Sequence, residues 1–295
     1  MDPLYSGLGN ASTGILWPNL LKKKLSNETE VQLYDYAYNG AHANGKLTNF
    51  GQRIPDTRTQ MKNYISDLQS GKVDHKSQEA LHVLWIGINP LDAIWIDACS
   101  PDRNNGTGAQ YPSDPPFLIA TERIQRQVEE VHYQIVQLRN DTLTDKFPSS
   151  FLIVTVPNIS IAPLQRELAQ GWGKGDTEKE TNVLALLRLL IEQYNNGLIS
   201  IFSQIRTTHD VTSRFVKHGI ENISGRCYDN NTPCADIDKY FFWDYLHPTP
   251  IVEKILAQDM YEFITNPYYQ YYAERRGSMI DLPLRSNISN QIIID

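Results

Sequence analysis

Leu81-His82-Val83-Leu84-Trp85-Ile86-Gly87-Ile88-Asn89 is the stretch whose reading decides the fold. Its first six residues are nearly all apolar and lack the alternation of a half-exposed strand. A run of this kind suits a parallel strand covered by helices on both faces. A second buried strand is expected over residues 151–156, closed by Pro157, and a shorter one over 32–37. Between these runs the period changes to that of helices. Met61, Tyr64, Ile65 and Leu68 mark one helical face, and Ile124, Val128, Val131, Ile135 and Leu138 mark another. A Leu-rich helix is expected over 183–194, ending near Asn195-Asn196-Gly197, with a further strand over 198–202. Ile251, Val252, Ile255, Leu256 and Phe263 line a last helix. Strands separated by helices predict an α/β sandwich around a parallel sheet, with function gathered at the carboxyl ends of the strands.

The bulk numbers agree with one large domain. The chain has 295 residues, 41% hydrophobic and 21% charged, enough apolar surface for a sizeable core. Its net charge of −7 and the absence of a basic block beyond Lys22-Lys23-Lys24 argue against a nucleic-acid partner. No apolar run approaches the length of a membrane span. The seven histidines show no metal-ligand spacing, and neither metal nor cofactor is expected. Residues 100–116, rich in Asp, Asn, Gly and Pro, read as a surface loop. The tail after Pro267 has no assigned structure, so the domain is placed at 1–266 with a C-terminal extension over 267–295. A monomer is expected.

Two features point toward the secretory pathway. N-x-S/T sequons stand at Asn10, Asn27, Asn105, Asn140, Asn158, Asn222, Asn230 and Asn287. Cys227 and Cys234 lie close together in a polar, Asn-rich stretch, where a disulfide would close a short loop; the alternative is two unpaired thiols. Cys99 is odd in either case. Met1 is followed at once by Asp2-Pro3, without the basic start and apolar segment of a signal peptide. The sequence is therefore read as a mature or truncated form, or as a cytosolic chain with silent sequons.

The sharpest chemical signal is Trp243-Asp244-Tyr245-Leu246-His247-Pro248-Thr249. A histidine that acts as a base through one ring nitrogen needs a carboxylate on the other, to fix the tautomer and stabilise the imidazolium. A spacing of three lets Asp244 and His247 meet within one loop. Thr249 reads as a helix N-cap and Pro250 as the first helical residue. On spacing alone, a surface histidine beside a solvated aspartate is the favoured explanation.

Taken with the rest of the chain, this segment resembles the last conserved block of the GDSL (SGNH) hydrolases, in particular the secreted fungal acetylesterases of carbohydrate esterase family 16. Tyr36-Ala37-Tyr38-Asn39-Gly40-Ala41 is similar to the block whose glycine amide helps form the oxyanion hole. Leu84-Trp85-Ile86-Gly87-Ile88-Asn89 is similar to the block whose asparagine side chain donates to the same oxyanion. Val154-Thr155-Val156-Pro157 resembles the strand that runs into a Pro-rich loop, and the cysteine pair before Tyr240-Phe241-Phe242-Trp243 matches the fungal pattern. The blocks occur in order, from the start of the chain to about the end of the last helix. The resemblance implies a three-layer α/β/α sandwich, secretion, and hydrolysis of acyl or acetyl esters, on carbohydrates in the fungal branch. It implies His247 as base, Asp244 as its partner, and Gly40 and Asn89 as oxyanion donors. Read without it, Gly40 is a turn glycine and Asn89 a turn former. Pro90 stands where the family usually has aspartate. Trp85, Trp95 and Trp243 are candidates to line a sugar cleft, or else core residues.

The first block departs from the family. Where Gly-Asp-Ser is expected after the first strand, this chain opens Met1-Asp2-Pro3-Leu4-Tyr5-Ser6, and Pro3 falls on the nucleophile. Proline has neither a hydroxyl to attack nor an N–H to donate. Ser6 is the nearest hydroxyl. Three positions along a loop displace an Oγ by up to about 10 Å, so it serves as a substitute only where the loop folds back. The strand before this block is missing as well. Its loss would leave unpaired backbone groups inside the sheet. Three readings remain: an ester hydrolase whose start lies upstream, a relative that binds a carbohydrate or glycan ligand without hydrolysing it, and a truncated product that folds poorly and has no activity.

Overall fold

The computed structural model describes residues 14–49, 54–75, 79–141, 143, 149–201, 205–206, 215–229, 232–265 and 291–294. The central sheet has five parallel strands in the order β1-β9-β2-β3-β4, where β1 is Gln32–Asp35, β2 Ala80–Leu84, β3 Ser149–Val154, β4 Ile205–Arg206 and β9 Gln291–Ile294. Two minor pairs lie outside it. β5 (Asn222–Arg226) pairs in parallel with β8 (Tyr240–Phe242), and β6 (Tyr228–Asp229) pairs antiparallel with β7 (Thr232–Pro233).

The expected near-continuous burial of β2 and β3 is present: every residue of β2 is buried, and all of β3 from Ser150 onward. Because strand side chains alternate, each strand feeds two cores. Ala80, Leu84, Phe151 and Ile153 pack on one face with α2 (Thr57–Gln69), α3 (Ile88–Cys99), α4 (Pro115–Arg139), α5 (Pro163–Gly173) and α6 (Thr177–Ile201). Leu81, Val83, Leu152 and Val154 pack on the other with α1 (Trp17–Leu25) and α7 (Pro250–Thr265). This is the three-layer α/β/α arrangement expected from the sequence.

Two sequence readings are corrected, and a third holds in position. The Leu-rich helix does not stop at Asn195-Asn196-Gly197 but continues to Ile201, and residues 198–201 belong to that helix rather than to a strand. Gly197 is there for packing, since a Cβ at that position would sit 2.9 Å from Val128 on α4. α7 starts at Pro250 as expected and the Thr249 carbonyl accepts from the Glu253 amide at 3.2 Å, the N-cap position, while the Thr249 hydroxyl donates to the Tyr240 carbonyl at 2.6 Å. The inner slot expected to stand empty is occupied. Gln291–Ile294 pairs in parallel with β1 on one side and β2 on the other, so neither strand presents an open inner edge. Four residues of the 267–295 extension thus lie inside the sheet.

Among the described residues no helix is long and apolar enough to cross a membrane.

Candidate active site

β1 and β2 end at the same edge of the sheet, and the loops that follow them carry the two candidate oxyanion donors. After β1 the chain makes a tight turn, in which the Ala41 amide donates to the Tyr38 carbonyl at 3.1 Å and Gly40 takes φ +84°. That conformation favours glycine. The space does too, because a Cβ on Gly40 would meet Ile54 Cδ1 at 2.5 Å. Among the described residues nothing accepts from the Gly40 N–H. After β2, Gly87 adopts φ +137° with Val156 and Tyr194 pressed against the place a side chain would fill, and α3 starts at Ile88. Asn89 therefore sits in the first turn of α3 at the sheet edge, half-buried. Its Nδ2 donates to the Ala41 carbonyl at 3.1 Å, which ties the two loops together. One amide hydrogen is used in that bond and the second is left to donate.

The loop after β3 brings in the third component. Asn195 on α6 holds its start by accepting from the Val156 N–H and donating to the Val156 carbonyl, both at 2.9 Å. The first turn of α5 then meets the 243–247 loop, where the Leu164 amide donates to the Tyr245 carbonyl at 3.0 Å. In that loop the His247 Nδ1 lies 2.9 Å from Asp244 Oδ2 and 3.1 Å from Oδ1. Asp244 Oδ1 also accepts from the Leu246 and His247 amides, each at 2.8 Å. The Trp243 amide donates to the His247 carbonyl at 2.8 Å and closes the loop. Burial alone would raise the Asp244 carboxyl, but its bonds from the His247 ring and from the two amides outweigh that and hold it below the usual carboxylate range. Asp244 is therefore an anion at neutral pH, and it fixes the proton on Nδ1. His247 Nε2 makes no hydrogen bond among the described residues, and the side chain is 32% exposed. A carboxylate-oriented imidazole with its second nitrogen open can take a proton from an attacking hydroxyl and return it to a leaving group.

The disulfide lies beside this loop. Cys227 and Cys234 are bonded to each other, and the Cys227 and Tyr228 amides donate to the Phe242 and Trp243 carbonyls at 2.9 and 2.6 Å. The hairpin thus braces the segment that leads into Asp244. Cys99 is free and buried; burial is the main reason its thiol is pushed up to about 12, so it is not a nucleophile at neutral pH. Of the sequons, Asn27, Asn105, Asn140 and Asn158 are exposed and Asn222 is half-buried. Asn10, Asn230, Asn287 and the candidate nucleophile Ser6 lie outside the described residues. Trp95 does not line a cleft: it is fully buried and donates to the Val183 carbonyl at 2.8 Å. Trp243 is half-buried and stacks on Tyr228.

Sequence reasoning missed two groups. Glu253, one turn into α7, is buried and accepts from the Trp17 amide at 2.8 Å, anchoring the start of α1 to the helix that follows His247. Its helical spacing among apolar neighbours hinted at an inward carboxylate, but nothing in the sequence identified the partner. The second group is the polar cluster of Thr57, Glu130 and Gln134 beneath the Gly40 loop.

Comparison with known proteins agrees with the α/β fold. Residues 4–260 match the family described as GDSL-like lipase/acylhydrolase. A GDSL esterase/lipase from Arabidopsis thaliana is 22% identical over 91% of this chain and 76% of its own length. An acetylesterase from Thermothelomyces thermophilus is 23% identical over 87% of this chain and 76% of its own. A thermolabile hemolysin from Vibrio parahaemolyticus is 23% identical over 88% of this chain and 57% of its own.

Proposed function

Because the chain belongs to the GDSL-like lipase/acylhydrolase family, a family of ester hydrolases, we propose that it cleaves small acyl esters, acetyl esters foremost, with His247 as general base and acid. Asp244 orients the imidazole, and the Gly40 amide and Asn89 Nδ2 hold the carbonyl oxygen as it becomes an oxyanion. The observation that carries this reading is the coincidence of open groups. His247 Nε2 and the Gly40 N–H have no partner among the described residues, and Asn89 Nδ2 keeps one hydrogen beyond its bond to the Ala41 carbonyl. Similarity to an acetylesterase supports the acetyl preference, and exposed sequons with a disulfide support secretion as a glycoprotein. A carbohydrate alcohol on the ester is part of the same reading.

For the attacking oxygen, the reading of the first block sets Pro3 where the family's serine is expected, and this is taken as a departure from the family. That departure favours a second reading, a relative that binds a carbohydrate or glycan ligand and does not turn it over. One experiment separates the two. Hydrolysis of p-nitrophenyl acetate, butyrate and octanoate is measured for the wild type, Ser6→Ala and His247→Ala. The hydrolase reading expects turnover that falls with acyl length and is lost in His247→Ala. Loss in Ser6→Ala as well identifies Ser6 as the nucleophile, whereas retention there assigns the attack to another oxygen. A wild type without turnover leaves the binding relative.

A further inference from the structure

The loop that carries Gly40 rests on a buried polar cluster to which sequence motifs and family resemblance give no role. Its residues Ala41, His42, Ala43, Asn44 and Gly45 are all buried. Three consecutive carbonyls of this loop are held by three different elements. Ala41 O accepts from Asn89 of α3 at 3.1 Å, and His42 O accepts from the Thr57 amide of α2 at 3.1 Å. Ala43 O accepts from Gln134 Nε2 of α4 at 2.6 Å, with the Thr57 hydroxyl 3.1 Å away. One loop amide is held likewise, the Gly45 N–H donating to Asp56 Oδ2 at 3.1 Å.

Behind the carbonyls stands a carboxylate. Glu130, one turn before Gln134 on α4, has a side chain only 7% exposed. It accepts from Gln134 Nε2 at 2.6 Å, from Asn44 Nδ2 at 3.2 Å, and from Nε and Nη2 of Arg58 on α2. Gln134 Oε1 in turn accepts from the Thr57 hydroxyl. A buried charge satisfied on all sides has one low-energy arrangement, and it resists displacement because any lost bond leaves a desolvated polar group. Simple core packing does not require such a construction. Apolar residues of similar volume would fill the same space without the desolvation cost of a carboxylate.

We propose that Glu130 and Gln134 are positioning residues for the oxyanion hole: through Ala43 O and Asn44 they fix the backbone that aims the Gly40 amide. This rests on the proposed role of Gly40. An oxyanion donor acts in the transition state, so its misplacement lowers kcat and leaves substrate binding nearly unchanged.

The test uses Gln134→Leu, which removes the donor to Ala43 O, and Thr57→Val, a near-isosteric change that removes the hydroxyl and keeps the backbone amide. Gln193→Leu is the control: it deletes a comparable bond, from Gln193 Nε2 to the Thr121 carbonyl at 3.0 Å, between α6 and α4. Amide hydrogen exchange of the peptide spanning 38–45 needs no turnover. It is expected to speed at least tenfold in Gln134→Leu and Thr57→Val and to stay unchanged in the control. Unchanged exchange in both cluster variants overturns the proposal. With p-nitrophenyl acetate, kcat is expected to fall about tenfold or more in Gln134→Leu with KM within twofold, a misplacement effect well below the loss of a donor outright. Wild-type kcat in a variant whose loop exchanges faster also overturns it. Absence of turnover in the wild type refutes the ester-hydrolase reading instead, and the exchange data then decide whether the cluster fixes the loop.

Discussion

Glu253→Gln is the perturbation whose size follows most directly from the structure. The carboxyl of Glu253 is buried against the start of α1, and the Trp17 amide donates to it. Burial, only partly offset by that hydrogen bond and by the proximity of His247, pushes the carboxyl from an ordinary 4.5 up to about 7. The sign follows from proton linkage. Between pH 4.5 and 7 the folded chain holds a proton that the unfolded chain has released, so stability falls as pH rises through this window and levels off above it. At about 1.4 kcal/mol per pH unit, the fall attributable to Glu253 is bounded at about 3 kcal/mol. Glutamine keeps an oxygen for the Trp17 amide and does not titrate, so the variant should lack this slope. Urea unfolding of wild type and Glu253→Gln at pH 5, 6, 7 and 8 measures it. The difference between the two proteins cancels groups that titrate alike in both. It should move in favour of the variant by about 2–3 kcal/mol from pH 5 to pH 8. Parallel pH dependences would refute the reasoning, and would mean that water reaches this carboxyl.

Other perturbations address the remaining layers. Asp244→Asn keeps the shape of the 243–247 loop but lets His247 carry its proton on the wrong nitrogen, so kcat for p-nitrophenyl acetate should drop about a thousandfold or more. Asn89→Ala removes a proposed oxyanion donor, and a loss of about a hundredfold to a thousandfold in kcat with little change in KM is expected. His82, wholly buried in β2 and stacked on Phe151, has no hydrogen-bond partner for either ring nitrogen among the described residues, and burial pushes it down to about 3. Such a group withholds stability as pH falls below its unfolded value near 6.5, so His82→Leu should flatten the acid limb of a thermal melting series between pH 6.5 and 4. Deleting residues 290–295 removes the strand between β1 and β2, and the cooperative melt of the full chain should broaden or vanish by circular dichroism.

The fold was legible wherever burial writes itself into composition. The runs at 81–86 and 151–156 are apolar because β2 and β3 have helices on both faces, and the spacing from Ile124 to Leu138 repeats because one side of α4 faces the core. The helix stop at Asn195-Asn196-Gly197 was misread because these residues usually end helices. Here Asn195 is spent on the Val156 backbone and Gly197 on close contact with Val128, roles that exist only in three dimensions. The strand β9 was not legible either. Its four residues stand far in sequence from both partners, and nothing local announces a central place in the sheet. At the site, the Asp244–His247 spacing was visible because both residues lie in one loop. The dependence of the Gly40 loop on Glu130 and Gln134 was not, since a Glu and a Gln four residues apart read as an ordinary solvated helix face.

His247, oriented by Asp244, is proposed as the base of an ester hydrolase. The most direct test is initial-rate hydrolysis of p-nitrophenyl acetate at pH 8 by wild type and by a folded His247→Ala protein. Saturable turnover in the wild type and a rate at buffer background in His247→Ala is the predicted result; equal rates in the two proteins would contradict it.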